Sequence, residues 1–220
     1  RPETQSEILK ASLRKSSEIH YGRIVPESLK DLVDSPFEFE NIATAVKIID
    51  VLSSKGWLIT KKSEISGFQN YKKLTGQLGR WQTISSSENL SEILLDCAHN
   101  VDGMRVLMDY FSQQHPGTQL HIVFGTIADK NPCKVLELIP KNSVMYWCSA
   151  NVVRSMSTDY LQDHGLESGL SGEVYSSVNE AVTAARSAVY SLNLELNEQA
   201  KSIVCGSVYV VGEVVELAKF

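Results

Sequence analysis

Residues 92–103 read Glu-Ile-Leu-Leu-Asp-Cys-Ala-His-Asn-Val-Asp-Gly and predict a strand, a polar turn and the start of a helix. The apolar run leads straight into Asp96, and apolar residues at helical spacing follow the turn. At the carboxyl end of a strand in an open α/β sheet, side chains project into a crevice where ligands bind, and the next helix presents unpaired N–H groups there. We therefore expect Asp96, His99 and Asn100 to face a ligand. The alternative is that Asp96 or Asn100 only caps the helix and that His99 is an ordinary turn residue.

The chain from Glu92 onward repeats this alternation of strand and helix. The predicted strands are 93–95, 120–124, 143–148, 173–175 and 202–205, with helical patterns between them. The valines after Gly206 favour a strand by propensity, but their position after a strand and a glycine favours a helix, which we predict. The alternation implies an α/β fold with a doubly wound, mainly parallel sheet.

Polar loops follow three of the predicted strands, at 96–100, 125–130 and 206–209. In a parallel sheet these loops lie on one edge, so their convergence indicates a binding edge. Lys130 could neutralise a phosphate there, and the Asp96 carboxylate suits the two hydroxyls of a ribose. The chain contains neither a G-x-x-x-x-G-K-[ST] loop nor G-x-G-x-x-G, so it lacks the usual cradle for nucleotide phosphates.

The segment before this sheet is predicted to be mostly helical, with helices at 4–20, 40–54 and 63–74. The periodicity of the apolar residues in these helices does not predict a complete hydrophobic core. Gly76 and Gly79 suit a hinge, which divides the chain into a domain at 1–76 and a domain at 77–220. Arg80 lies at this hinge and could contact a bound phosphate through its planar guanidinium; the alternative is a surface ion pair. Because the chain opens on Arg1 without an initiator Met, we expect it to be a piece of a longer protein.

Composition excludes several classes of partner. With 43% hydrophobic and 21% charged residues the chain can bury a sizeable core, and its net charge of -5 argues against binding nucleic acid or a membrane surface through bulk electrostatics. There is no signal peptide and no apolar run that could span a bilayer, so we expect a cytoplasmic protein. The four cysteines show no C-x-x-C pair and no metal-ligand spacing with histidine, so no metal site is predicted within the chain.

Four motifs, in order along the chain, resemble a known family. Residues 96–100, Asp-Cys-Ala-His-Asn, resemble the Asp-Gly/Tyr-Ala-His-Asn motif that opens the carboxyl-terminal domain of the Mur ligase superfamily, and 78–82 is similar to the Gly-Arg-Trp element before it. Residues 123–130 and 205–213 resemble the folylpolyglutamate synthase and dihydrofolate synthase branch, and 40–45 resembles the helix that closes the central domain of that branch. Cys97 in place of glycine and Val101 in place of proline are local departures.

The resemblance implies the end of a central ATPase domain followed by a Rossmann-like glutamate-ligase domain. It implies an ATP-dependent ligase that phosphorylates the carboxylate of a folate and lets the amino group of L-glutamate attack the acyl phosphate. Whether dihydropteroate is also an acceptor stays open. The cofactors implied are ATP and Mg²⁺, with the phosphate loop and the metal ligands in preceding domains. The partners implied are folate, L-glutamate and ATP, for a monomer that binds neither nucleic acid nor membrane.

The resemblance also implies roles for individual residues. Arg80 would contact the ATP phosphates, Asp96 the ribose, and Asn100, as a weaker candidate, the nucleotide. His99 would lie where glutamate and the acyl phosphate meet, and Lys130 would neutralise phosphate or glutamate. The substrate-binding residues implied are Ser207, which would hold the incoming glutamate, and the weaker candidate Tyr209.

Two other functions stay open. A muramyl peptide ligase has the same carboxyl-terminal architecture, although Trp81 and the Ser-Val-Tyr run at 207–209 weigh against it. A non-catalytic α/β module that binds a ligand or partner is the second. For the ligase we expect the isolated 220-residue chain to be inactive. The ligase also requires the loops with Asp96, Lys130 and Ser207 to face one cleft, without Asp96 being sealed in the core.

Overall fold

A computed structural model describes residues 2–32, 38–195 and 199–217. The chain divides into two compact units, Arg1–Thr75 and Gly76–Phe220. The division follows Thr75, where the last helix of the first unit ends.

The described part of the first unit is helical. Its helices are α1 (Pro2–Lys15), α2 (Glu27–Lys30), α3 (Glu38–Ser54) and α4 (Lys61–Thr75). A small core of Val25, Leu29, Ile42 and Ala43 holds α2 and α3 together. The prediction that the first helix extends to His20 is wrong. Ser16 adopts a φ of 48°, in the left-handed region, and this conformation ends α1 at Lys15.

The second unit contains a six-stranded sheet in the order β1-β2-β6-β3-β4-β5. The strands β2, β6, β3, β4 and β5 run parallel, and β1 is antiparallel to β2 at one edge. This arrangement confirms the predicted mainly parallel α/β sheet. The elements are β1 (Gln82–Ile84), β2 (Ile93–Leu95), α5 (Val101–Gln114), β3 (Gln119–Phe124), α6 (Cys133–Leu136), β4 (Val144–Trp147), α7 (Thr158–Glu167), β5 (Ser171–Val174), α8 (Val178–Glu195), β6 (Ala200–Cys205) and α9 (Val208–Leu217).

Helices cover both faces of the sheet because side chains alternate along each strand. Ile122 and Phe124 of β3 pack against α5, α6 and α7, while Val123 packs against α8 and α9. The valines after Gly206 form α9, with four of them buried against the sheet: Val210, Val211, Val214 and Val215. The helix predicted at this position is therefore confirmed, because burying an apolar helix face outweighs the strand propensity of valine.

No helix within the described ranges is long and apolar enough to cross a membrane.

Candidate functional site at the carboxyl ends of the strands

Asp96 shapes the loop that follows β2. Its carboxylate accepts hydrogen bonds from the backbone N–H of Trp81 at 3.2 Å and of Ala98 at 2.8 Å, and the residue is only 6% exposed. Burial raises the pKa of this carboxyl above its ordinary value, opposed by the two backbone hydrogen bonds. The carboxylate thus ties the segment after Arg80 to the end of β2. Asp96 does not line the open cavity beside this loop, so the expectation that it projects into a crevice is wrong in this structure. It belongs to neither apolar core cluster of the second unit, so it is not sealed in the core, and its contact with a ribose stays a prediction.

One ring nitrogen of His99 makes a hydrogen bond within the loop, and the other is available to a ligand. Its Nδ1 lies 2.7 Å from the carbonyl oxygen of Cys97. Because a carbonyl only accepts, Nδ1 must carry the proton, which leaves the lone pair of Nε2 for a ligand when the ring is neutral. The ring is partly exposed and lines an open cavity. This placement suits a group that receives a proton.

Asn100 caps helix α5. Its backbone is extended, with φ of -139°, and its side-chain oxygen accepts from the backbone N–H of Gly103 at 2.8 Å. The capping alternative considered for this residue is therefore what the structure shows. Since the cap uses the side-chain oxygen, the amide N–H₂ is the part of Asn100 that could meet a ligand.

Lys130 joins the loop after β3 to the loop after β2. Its Nζ donates to the backbone oxygen of His99 at 3.3 Å. Partial burial lowers the pKa of this ammonium, and the nearby guanidinium of Arg154 lowers it further. An open cavity of about 230 Å³ lies between the two loops. Its lining includes three predicted site residues and the glycine that ends β6: His99, Asn100, Lys130 and Gly206.

The loop after β6 closes the back of this cavity. Gly206 donates its N–H to the oxygen of Ala98 at 2.7 Å and adopts a φ of 101°. A Cβ at this position would lie 2.6 Å from the backbone oxygen of Gly125, so the close approach of β6 to β3 needs a glycine. Ser207 follows it, is 4% exposed, and accepts from the N–H of Tyr209 through Oγ at 3.1 Å. Its hydroxyl therefore supports the start of α9, beside the cavity.

A basic residue that belongs to none of the sequence motifs lies beside these loops. Arg154, after β4, pairs with the carboxylate of Asp129 and lies by the hydroxyl of Tyr209. Its backbone oxygen accepts from the N–H of Ala128 at 2.8 Å, and the N–H of Met156 donates to the backbone oxygen of Thr126 at 2.9 Å. These two hydrogen bonds connect the loops after β3 and β4. The rule that selected Lys130, a basic residue in a loop at the carboxyl end of a parallel strand, also applies to Arg154.

The structure thus brings His99, Asn100 and Lys130 around one cavity, with Ser207 next to a lining residue. Tyr209 is 37% exposed and belongs to the neighbouring Arg154 cluster. Arg80 is exposed and does not line the cavity. Its positive charge lowers the pKa of the Asp96 carboxyl and so opposes the rise caused by burial.

A family model described as Mur ligase, glutamate ligase domain, matches residues 79–193, more than half of the chain. The chain belongs to this Mur ligase family. The resemblance noted in the sequence is thereby confirmed.

Similar proteins agree with this assignment. The dihydrofolate synthase/folylpolyglutamate synthase of Buchnera aphidicola subsp. Schizaphis graminum is 29% identical over 153 residues, which cover 66% of this chain and 33% of that protein. Folylpolyglutamate synthase of Mycobacterium tuberculosis, complexed with ADP and AMPPCP, superposes with a TM-score of 0.69 at 18% identity, over 84% of this chain and 41% of that one. E. coli FolC in complex with DHPP and ADP superposes with a TM-score of 0.61 at 20% identity, over 80% of this chain and 39% of that one. The chain therefore spans about a third to two fifths of the length of these relatives.

The charges around the open cavity between the loops after β2 and β3 favour an anionic ligand. Lys130 and Lys134 line it, Arg154 lies nearby, and α5 begins beside it with its unpaired N–H groups. Within the described residues no three His, Cys, Asp or Glu side chains cluster closely enough to hold a metal ion. This arrangement can bind a negatively charged group and place His99 beside it as a proton acceptor.

Proposed function

We propose that this chain is the carboxyl-terminal part of an ATP-dependent acid–amino-acid ligase that adds L-glutamate to a folate through an acyl phosphate. In this proposal residues 1–76 end the central ATPase domain and residues 77–220 form the glutamate-ligase domain. The observation that carries it is the contact of Lys130 Nζ with the backbone of His99 beside a shared cavity, within a glutamate ligase domain. The folate branch is supported by the motifs at 123–130 and 205–213 and by the curated relative.

The chemistry explains why such residues are needed. A carboxylate is a poor electrophile, and phosphorylation by ATP converts it into an acyl phosphate with a good leaving group. The amino group of glutamate attacks the acyl carbon, a tetrahedral intermediate forms, and phosphate leaves. Catalysis of this kind depends on positioning and on neutralising charge.

His99 and Lys130 fit two parts of this reaction. Glutamate arrives as an ammonium and must lose a proton before it can attack, and Nε2 of His99 has the lone pair to accept that proton. Lys130 supplies a fixed positive charge for the phosphate or for a carboxylate of glutamate. Ser207 would hold the incoming glutamate with its backbone, since its hydroxyl already supports α9.

We propose that the nucleotide binds mainly through segments outside this chain. The chain has no phosphate-binding loop, and its described part shows no cluster of metal ligands. Arg80, exposed beside the segment that Asp96 fixes, would contact the phosphates of ATP, and Mg²⁺ would be held elsewhere in the protein. The 220-residue chain alone is then expected to show no ligation.

The proposal is tested with the complete protein that carries this chain. ADP release is measured with L-glutamate and each of three acceptors: tetrahydrofolate, dihydropteroate and a UDP-muramyl peptide. We expect release with tetrahydrofolate, and a fall in kcat/KM for glutamate of about a hundredfold or more in Lys130→Met. Lys141→Met, an exposed change of the same kind, is the control.

Two results would contradict the proposal. Activity only with the muramyl peptide would assign the protein to the cell-wall branch. No acceptor-dependent ADP release from a folded, complete protein would favour the non-catalytic module.

A further inference from the structure

A second cavity, of about 220 Å³, lies in the second unit and shares no lining residue with the cavity of the candidate site, although its Trp81 also bonds Asp96 through the backbone N–H. Ser91 and Glu92 precede β2, Ala200 begins β6, and His115 follows α5, so the cavity opens at the amino ends of β2 and β6. Ligand pockets for drug-sized molecules measure about 300–1,000 Å³, so this cavity suits a smaller molecule.

One wall of this amino-end cavity is aromatic. The rings of Trp81 and Tyr110 meet edge to face with centroids 4.7 Å apart, and the rings of Tyr110 and Phe111 each lie 5.9 Å from that of His115. All four line the cavity. Burial lowers the pKa of His115, and Lys201 lowers it further, which favours the neutral imidazole. The wall therefore offers mainly ring edges and faces.

The other wall carries one charge of each sign. Lys201 Nζ and a carboxylate oxygen of Glu92 are 3.7 Å apart, and their side chains are 36% and 63% exposed. An exposed pair at this separation contributes little to stability and opens easily. Two of the other polar side chains are occupied: the Ser202 hydroxyl donates to the backbone oxygen of Glu92 at 2.7 Å, and the Asn193 amide bonds both backbone groups of Ala200.

We propose that the amino-end cavity binds a free aromatic α-amino acid. The α-carboxylate lies on Lys201, the α-ammonium on Glu92, and the ring against Trp81 and Tyr110. A zwitterion satisfies both charges of the loose ion pair, whereas a simple carboxylate would meet repulsion from Glu92 and a simple amine repulsion from Lys201. The aromatic wall provides favourable edge-to-face contacts for a six-membered ring. The site does not depend on the proposed ligase activity.

The test uses the chain labelled with ¹⁵N and NMR titrations with three probes. L-Phenylalanine carries both charges, 3-phenylpropionate lacks the ammonium, and 2-phenylethylamine lacks the carboxylate. We expect L-phenylalanine to shift the amides of Lys201 and Ser91 and the indole of Trp81, with tighter binding than either analogue. Absence of shifts at these groups, or equal affinity for 3-phenylpropionate, would overturn the proposal.

Two variants separate the charges. Lys201→Met removes the carboxylate partner and should weaken L-phenylalanine binding roughly tenfold to a hundredfold, while Lys141→Met leaves it unchanged. Glu92→Gln should remove the preference for L-phenylalanine over 3-phenylpropionate. Unchanged binding in folded Lys201→Met, or an unchanged preference in Glu92→Gln, would refute the assignment.

Discussion

Replacing Gly206 by alanine should destabilise the second unit strongly. The new Cβ would lie 2.6 Å from the oxygen of Gly125 and 2.8 Å from the ring of Phe124, distances that require backbone or ring movement. Overpacking of this kind costs about 1–3 kcal/mol. The φ of 101° costs an L-residue about 1–3 kcal/mol more. The free energy of unfolding should therefore fall by roughly 2–6 kcal/mol, a large part of the stability of a typical domain.

Gly212→Ala is the matched control. Gly212 lies within α9, and a Cβ there meets no heavy atom within 4 Å. Alanine should therefore stabilise the helix by about 0.5–1 kcal/mol. The same glycine-to-alanine change at two positions six residues apart is expected to lower the free energy of unfolding at one and raise it at the other.

Urea unfolding followed by tryptophan fluorescence measures both changes. Trp57 is 64% exposed in the first unit, and Trp57→Phe leaves a signal that comes from the second unit, including the buried Trp147. A Gly206→Ala variant within about 1 kcal/mol of the parent would refute the reasoning, since it would mean that the strand ends can separate at little cost. So would a Gly212→Ala variant that is equally destabilised.

Three further outcomes follow from the site. Asn100→Ala should lower the free energy of unfolding by about 1 kcal/mol through loss of the α5 cap, and Asn100→Asp should retain it, as measured in urea. Because the pKa of Asp96 is raised in the folded state, protonation favours folding: its contribution is fully present below the unfolded pKa and is lost as pH rises through the folded one. The stability of the parent relative to Asp96→Asn should thus increase as pH falls from 7, and a difference that is independent of pH would contradict this. Arg154→Gln should raise the pKa of Lys130 only partly, since burial remains; the pH dependence of lysine acetylation, mapped by mass spectrometry, reports it.

The sequence was most informative where a short apolar run ends at a polar residue or a glycine. β2 occupies the predicted residues, and β3 and β6 extend one or two residues before the predicted starts. Strands buried on both faces leave such continuous apolar runs. The end of α1 was missed because helical periodicity continues past Lys15, while the backbone turns at Ser16. A serine in the left-handed region leaves no trace in a pattern of apolar residues.

The candidate site could be predicted only as a set of loops. The positions of Asp96, His99 and Lys130 at strand ends followed from the alternation of elements. Which atoms face the cavity did not, because it depends on backbone groups that pattern does not encode. The Asp96 carboxylate is engaged by two N–H groups, one of them in a residue fifteen positions earlier in the chain. Arg154 was passed over since it belongs to no motif, although three strand-end segments meet around it.

The two backbone hydrogen bonds between the loops after β3 and β4 limit how far the lengths of these loops can change. An insertion in either loop must break the bonds at Ala128 and Met156, so length changes at this rim carry a cost in both loops at once. The turns at 116–117 and 141–142, on the far rim, are exposed at all four positions and can lengthen without that cost. Changes at this rim should therefore exchange side chains such as Lys130 or Arg154 while the loop lengths stay constant.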